Sequence, residues 1–347
     1  YKGGLQMINL IIILAIVTSI IIGYRTKINT GIPAILFAYV IGCFILGLKP
    51  KEVIAMWPVS TMFSIMAITL FYGMGVVNGT LEKTARYLLY YMRNYKKLLP
   101  FILFLIAVLI GALGAGNFAV VAFMAPLSVM ICHEAGINIL AAAVAINGGS
   151  LVGGNFMTSN LGIIFRQLTE EATTGTAFEG YASFSGQMVH FAVSFLFFGI
   201  LVFAFTGLLG RKQAEGTAVS MERPEEFSEK QKMTLWLMIV MLAIVLVVPI
   251  LHMMLADNAL ITSLNKKVDV SLMACVFAFI ALCLDLAPQK EVIAKVPWGT
   301  ILMVCGVGML VQVAISAGTI ELLASWIGAN IPVAIVPVAF ALVAGIM

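Results

Sequence analysis

The sequence predicts an all-α polytopic membrane protein that contains an inverted repeat, re-entrant hairpins and broken helices. Three observations predict this fold class: long apolar runs, an internal repeat, and two clusters of glycine and neutral polar residues inside apolar sequence. Of the 347 residues, 62% are apolar and only 10% are charged, against roughly 25% charged residues in an ordinary soluble domain. A chain of this composition is expected to fold within a lipid bilayer.

Eight apolar runs reach the length of ~18 residues that marks a transmembrane helix. They cover residues 7–24, 30–48, 59–80, 98–115, 184–209, 232–255, 269–287 and 298–319. The first run is too long for a signal peptide, and seven others follow it. The sequence therefore predicts several membrane crossings.

The chain repeats itself when it is shifted by 239 residues. Residues 27–85 then align with 266–324 without a gap, and 13 of the 59 positions are identical. The matches include KEVIA at 51–55 and 290–294, Pro58 with Pro297, Thr61 with Thr300, and GTLE at 79–82 with GTIE at 318–321. Chance would rarely place a five-residue block holding Lys and Glu in register with other polar matches, so the repeat is real.

The repeat also predicts that the chain is C-terminally truncated. About 80 further residues follow the apolar run 98–115 of the first half, whereas the equivalent run of the second half ends the chain at Met347. The chain also begins at Tyr1 rather than at a methionine. We therefore expect roughly the last quarter of the parent protein, with the second half of any binding site, to be missing.

Basic residues set the expected orientation. Segment 81–97 is rich in basic and aromatic residues and suits an interfacial helix on the cytoplasmic face. If 98–135 forms a re-entrant hairpin that enters and leaves on that face, fourteen of the twenty Lys and Arg lie inside. The KEVIA block is then outside in one half and inside in the other, so the repeats have inverted topology.

The predicted organisation is a first repeat at 1–209, a charged cytoplasmic linker at 210–231 and an incomplete second repeat at 232–347. The first repeat divides into scaffold helices at 7–80, the interfacial helix 81–97, the re-entrant hairpin 98–135, a broken helix at 138–170 and a helix at 184–209. Inverted repeats joined by one loop are typical of secondary transporters.

Two segments place glycines and neutral polar groups at membrane depth. In the first, glycines 111, 114 and 116 precede Asn117, and the second runs from Asn147 to Gly162. Broken helices in hydrocarbon occur only where they line a cavity. The freed carbonyls, with Asn, Ser and Thr oxygens, coordinate Na⁺, and half-helix N-termini attract a carboxylate. Pairs such as Gly149 and Gly153 also let helices approach closely, but the crowding here favours a binding site.

Arg166 is the only basic residue close to the second cluster. We expect it to mark the outer end of the broken helix, near Glu170 and Glu171, with contact to an anion as the alternative.

The order of these elements resembles the ion transporter superfamily, which includes the divalent anion/sodium symporters and the bacterial malonate/dicarboxylate carriers. The resemblance covers essentially the whole chain. Asn117 falls on the asparagine of the family's hairpin tip, and Pro126 falls on its proline. Gly148, Gly149 and Ser150 resemble the opening of the family's broken fifth helix, and Thr158, Ser159 and Asn160 resemble its later polar turn. Gly116 and Phe118 replace a serine and a threonine of the symporters, which moves the resemblance toward the malonate/dicarboxylate branch.

The resemblance implies a cation-coupled carrier of small organic anions, such as malonate or succinate, that works by an elevator mechanism. It implies a homodimer in the bacterial inner membrane, no nucleic-acid partner, and no cofactor beyond Na⁺ as a candidate coupling ion. The candidate substrate contacts are Asn117, Phe118, Ser150, Asn155, Thr158, Ser159 and Asn160. The candidate cation ligands are Ala112, Gly116, Asn117, Gly148 and Gly149.

Four alternatives remain open at this point. The chain could be the large membrane subunit of a tripartite, binding-protein-dependent carrier, or another anion permease or antiporter of the same superfamily. An antiporter is expected to carry paired ionisable residues at membrane depth, and the sequence shows none. A channel would differ from a carrier by an ion conductance far above carrier turnover. An intramembrane enzyme would need a nucleophile or a metal-ligand set at depth, and no such pattern occurs.

Overall fold

The structure is a computed structural model. It describes residues 2–92, 95, 98–115, 117, 119–122, 124–126, 128, 138–208, 222–255, 257–330, 332, 335 and 336. Within these residues the secondary structure is helical and contains no strand. The predicted all-α polytopic fold class is confirmed.

Nine α-helices in the first half of the chain have bounds that the structure describes. They are α1 (Lys2–Thr26), α2 (Gly31–Val40), α3 (Pro50–Ala55), α4 (Val59–Val77), α5 (Thr80–Met92), α6 (Leu99–Ile110), α7 (Ile139–Gly154), α8 (Asn160–Thr173) and α9 (Phe184–Leu208). The π-helical turns Ile41–Ile45 and Gly111–Ala115 extend α2 and α6, and the 3₁₀ turn Glu179–Ala182 precedes α9.

The second half continues with six helices in the described residues. They are α10 (Glu229–Met254), α11 (Ala259–Lys267), α12 (Val270–Cys283), α13 (Gln289–Lys295), α14 (Trp298–Ser316) and α15 (Thr319–Asn330).

Five helices in the described part of the chain are long and apolar enough to cross a membrane. They are Met7–Thr26 within α1, and α4, α9, α10 and α14. Three other predicted runs form shorter helices, at Gly31–Ile45, Leu99–Ala115 and Val270–Cys283. Polar residues shorten the last of these, because Asp269 caps its start and Asp285 adopts a φ of 50° just beyond its end. Fourteen residues span about 21 Å, less than the ~30 Å hydrocarbon core.

The internal repeat extends from the sequence to the helix boundaries. Helices α2 to α5 begin at Gly31, Pro50, Val59 and Thr80, and α12 to α15 begin 239 residues later, at Val270, Gln289, Trp298 and Thr319. The residue before the last helix of each set is a glycine with the same φ of +74°, Gly79 in one half and Gly318 in the other. The opposite orientation of the two halves in the membrane stays a prediction.

The chain forms two compact units, one from the residues up to Met62 together with those from Trp298 onward, and one from Phe63–Pro297. In the first unit α2 and α14 cross at two glycines, where a Cβ on Gly306 would stand 2.5 Å from the carbonyl oxygen of Gly31. Close backbone approach of this kind is the usual helix contact in membranes. Thr319 Oγ1 donates a hydrogen bond to Asn9 Oδ1 at 2.8 Å, and both side chains are buried.

In the second unit one apolar core joins α4, α6, α7 and α12, with Phe71, Leu103 and Ile146 among its buried members. Asn78 fixes the end of α4, because its Nδ2 donates to Thr234 Oγ1 at 2.8 Å and to the Leu286 carbonyl at 3.2 Å. The core and these bonds hold α4 beside the helices that carry the candidate site.

The predicted interfacial helix and linker meet in the structure. Helix α5 ends at Met92, and the Tyr87 ring stacks on Phe227 with centroids 5.1 Å apart. Parts of the predicted interfacial helix lie outside the described residues, at 93–94 and 96–97. So do the end of the first repeat with most of the linker, at 209–221, and residues 129–137 of the hairpin region. The described end of the linker, 222–228, therefore packs against α5.

Candidate substrate-binding site

The first polar cluster is a break at the end of α6. Residues Gly111–Ala115 form a wide helical turn in which Gly114 adopts a φ of +83°, a conformation that side chains with a Cβ rarely adopt. The ring of Tyr72, fully buried on α4, lies directly against this glycine, so that a Cβ on Gly114 would overlap the ring. Tyr72 therefore sets the position of the break.

The second polar cluster is a break between two helices. Helix α7 ends at Gly154 and α8 begins at Asn160, and residues 155–159 cross between them. Gly162 allows this crossing to fold tightly, because a Cβ there would stand 2.6 Å from the Asn155 carbonyl oxygen. Ser159 is the N-cap residue of α8, but its side chain makes no capping hydrogen bond. The break leaves the positive end of α8 at the crossing.

Two hydrogen bonds join these two clusters. The Ser150 hydroxyl of α7 donates to Asn117 Oδ1 at 2.5 Å. The Thr158 hydroxyl donates to the Ala112 carbonyl oxygen at 2.7 Å. Ser150 and Thr158 are both fully buried. Because an unpaired polar group is costly in apolar surroundings, these bonds favour one fixed arrangement of the two breaks.

A cavity of about 320 Å³ opens beside both breaks. Gly114, Asn117 and Asn160 line it, together with Thr69 of α4 and Lys295 of α13. This volume lies at the lower end of the ~300–1,000 Å³ typical of small-molecule sites. Lys295 is the one charged side chain among the described lining residues. The cavity thus combines neutral amides with a single positive charge.

The two asparagines present their amino groups as donors. Asn117 Oδ1 accepts from Ser150, and Asn160 Oδ1 accepts from the backbone N–H of Leu161 at 2.9 Å. With each oxygen engaged, the Nδ2 group of each amide remains as a hydrogen-bond donor. Donors at Asn117, Asn160 and Lys295 suit an anionic ligand.

Lys295 lines the cavity but was not among the predicted site residues, because the sequence identified it only as one of the basic residues expected on the cytoplasmic side. It is the last residue of α13, and its Cβ lies 3.6 Å from the point where a Cβ on Gly73 would stand. The repeat held a signal for it, since the residue at the equivalent position of the first half is Met56. A lysine that replaces an apolar residue in one of two related halves points to a role specific to that half.

The candidate residues Gly148, Gly149 and Asn155 are not among the described lining residues of this cavity. A Cβ on Gly148 would meet the Phe198 ring of α9 at 2.8 Å, and one on Gly149 would meet the Phe104 carbonyl of α6 at 2.5 Å. Both glycines therefore make close helix contacts. Asn155 is the C-cap residue of α7, while Gly116 and Phe118 lie outside the described residues. The roles of all these residues in binding stay predictions.

The helices and their apolar lengths define a multi-pass membrane protein. Residues 7–154 match the family model of the dicarboxylate carrier protein MatC N-terminus. The match runs from α1 to the end of α7 and so includes Asn117 and Ser150. No curated protein matches the chain. The resemblance to malonate/dicarboxylate carriers is confirmed over this segment, and the fold and this match together point to a transporter rather than an enzyme.

Proposed function

We propose that this protein is a secondary active transporter of small organic anions, C3 or C4 dicarboxylates such as malonate or succinate, in the bacterial inner membrane. The hydrogen bond between Ser150 and Asn117 carries the proposal, because it joins the two helix breaks at a cavity that Asn160 and Lys295 also line. The dicarboxylate carrier family match over residues 7–154 supports the substrate class.

The donors of the cavity suggest how a dicarboxylate binds. One carboxylate accepts hydrogen bonds from Asn117 Nδ2 and Asn160 Nδ2, close to the positive N-terminus of α8. The other carboxylate pairs with the Lys295 ammonium group at the edge of the cavity. Since Lys295 pairs with the other carboxylate, the carboxylate at the buried end depends on the amide donors and the start of α8 to offset the cost of its burial.

A coupling cation fits the break in α6. The Ala112 carbonyl oxygen accepts from Thr158 and keeps a second lone pair for a ligand. We propose that Na⁺ binds there with other freed carbonyls of the turn, and that a proton gradient is the alternative driving force. A cation next to the anion would reduce the net charge of the loaded site.

Close packing between the two breaks supports the proposed elevator mechanism. Gly153 of α7 stands against α6, where a Cβ would lie 2.9 Å from the backbone N of Ala112. The two broken elements, tied by this contact and by the bonds of Ser150 and Thr158, would then move as one body and carry the ligand with them. A homodimer is the expected assembly.

Uptake by proteoliposomes tests the proposed function. Purified protein should accumulate labelled succinate or malonate under an inward Na⁺ or proton gradient, and a gradient-collapsing ionophore should abolish accumulation. Accumulation only after adding a periplasmic binding protein would instead identify the membrane subunit of a tripartite carrier. Ion conductance far above carrier turnover, measured in a planar bilayer, would indicate a channel.

Replacing Lys295 with glutamine is expected to raise the KM for succinate about tenfold while changing kcat less, because the variant loses one charge-assisted contact to the anion. The salt dependence of uptake should weaken as well, since a partly exposed charge attracts its substrate through screened electrostatics. Initial uptake rates at several succinate and salt concentrations measure both effects.

Lys290→Gln is the matched control, because Lys290 is exposed on the same helix and does not line the cavity. It should leave KM and the salt dependence unchanged. Equal effects of the two substitutions would show that the net charge of the protein, rather than a contact in the cavity, causes the changes in KM and salt dependence.

A further inference from the structure

A second cavity lies on another side of the broken helix and shares no lining residue with the first. Its volume is about 330 Å³, and its lining includes Arg166 of α8, Ser185 of α9, His252 of α10 and Asn265 of α11. Met157, in the crossing between α7 and α8, also lines it. The next residue, Thr158, bonds to the break in α6 beside the first cavity. The crossing therefore separates the two cavities.

Arg166 is incompletely paired in this second cavity. Its Nε atom is buried and has no hydrogen-bond partner among the described residues. Arg166 belongs to none of the ion pairs of the described chain, although Glu170 follows one turn later on the same helix. A buried donor on a charged group is costly without a partner, and such groups in native proteins almost always have one. A ligand that accepts hydrogen bonds would satisfy it.

The rest of the lining suits a carboxylate. The Ser183 hydroxyl donates to the Gly180 carbonyl oxygen and accepts from the backbone N–H of Gly186. By contrast, the Ser185 hydroxyl, 3.0 Å from Ser183 Oγ, can turn its proton towards a ligand. Asn265 adds an amide, and no aspartate or glutamate is among the described lining residues. An arginine offers its donors in a planar fork that matches the two oxygens of a carboxylate.

We infer that this cavity is a second anion site, in which Arg166 holds a carboxylate substrate before it passes the crossing of the broken helix. The inference rests on the proposed function for the choice of ligand, but the site itself depends on Arg166 and not on Asn117. The positive start of α9 and the unpaired Nε of Arg166 raise the local anion concentration on one side of the crossing. A carboxylate bound in this second cavity would then move on to the first cavity.

Thiol labelling in phosphatidylcholine proteoliposomes tests this site directly. Ser185→Cys places an exposed thiol in the cavity wall, and its reaction with a membrane-impermeant maleimide is measured above the labelling of the parent protein. Succinate at several times its dissociation constant should slow this reaction by about fivefold. Neutral succinamide should have no effect. Absence of protection by succinate would overturn the proposal.

Substitutions in the Ser185→Cys background separate the two cavities. Arg166→Gln should remove the protection, Arg166→Lys should retain part of it, and the remote Lys290→Gln should retain it fully. Asn117→Ala should abolish transport yet leave the protection intact. Loss of protection in Asn117→Ala would mean that ligand in the first cavity causes it, which would refute a separate site. Failure of the Ser185→Cys protein itself to transport succinate, with its protection by succinate preserved, would reject the proposed function and leave this anion site standing.

Vesicles of two lipid compositions show whether the anion in the second cavity is a soluble carboxylate or a lipid headgroup. Vesicles that contain phosphatidylglycerol should label at the same rate as phosphatidylcholine vesicles in the absence of succinate. Slower labelling caused by phosphatidylglycerol alone would show that a lipid headgroup occupies the cavity, and it would overturn the assignment to a soluble carboxylate.

Discussion

Asn117→Ala is expected to lower kcat/KM for dicarboxylate uptake by about 100- to 1,000-fold, because two charge-assisted contacts of ~1.5–2 kcal/mol each are lost together. The first is the hydrogen bond from Asn117 Nδ2 to the substrate. The second is the amide's contribution to the neighbouring cation site. Initial rates of labelled succinate uptake, over a range of succinate and Na⁺ concentrations, measure the loss.

The structure indicates that this variant will still fold. The Ser150 hydroxyl loses Asn117 as an acceptor, but it lies 2.9 Å from the Asn147 carbonyl oxygen and can donate there instead. The thermal midpoint in detergent should therefore change little. Asn330→Ala, which removes an exposed amide at the end of α15, should leave transport unaltered. Normal uptake by Asn117→Ala would reject the site proposed here.

The second large effect is expected on folding rather than on transport alone. Gly114→Ala should destabilise the protein by about 2–5 kcal/mol, combining ~1–2 kcal/mol for a Cβ at positive φ with ~1–3 kcal/mol for overpacking against Tyr72. Tyr72 is fully buried within the main core and has little room to move. We expect a sharp fall in the yield of monodisperse protein and a much lower thermal midpoint in detergent.

Two variants separate these contributions. Gly175 also has a positive φ, of 75°, but a Cβ there would meet no atom within 4 Å. Gly175→Ala should therefore show only the smaller conformational cost. Gly114→Ala should cost less in a Tyr72→Ala background than in the parent protein, because that background lacks the Cγ and Cδ2 atoms that the added Cβ would overlap. If Gly114→Ala is no worse than Gly175→Ala, the contact with Tyr72 does not constrain the break.

The sequence allowed the helices and the two breaks to be predicted because their signals are local. Apolar runs mark the helices, and the glycines beside Asn117 and between Asn147 and Gly162 mark the breaks. The hydrogen bond between Ser150 and Asn117 brings the two segments into contact, and their function as one binding site stays a prediction. Helix ends were predicted less well, because single polar residues such as Asp269 decide them.

The side chains that reach each cavity could not be predicted from the sequence. Gly148 and Gly149 are neighbours, yet successive helical residues point about 100° apart, so one faces α9 and the other faces α6. Lys295 lines the first cavity only because α13 packs against α4, a contact distant in sequence. The lining around Arg166 comes from four helices, and only tertiary packing brings them together.

The matching helix boundaries of the two halves have an evolutionary consequence. We infer that the halves descend from one duplicated segment whose apolar residues have since diverged almost freely, because lipid and neighbouring helices accept many apolar side chains. The identical residues are concentrated in the connections between the long apolar helices, as in the KEVIA block, and at the turns of Gly79 and Gly318 with their common φ of +74°. Backbone geometry at such turns admits few alternatives. The ancestral gene is therefore recorded mainly in these connections and turns, and a reconstruction of it should weight those positions above the spans between them.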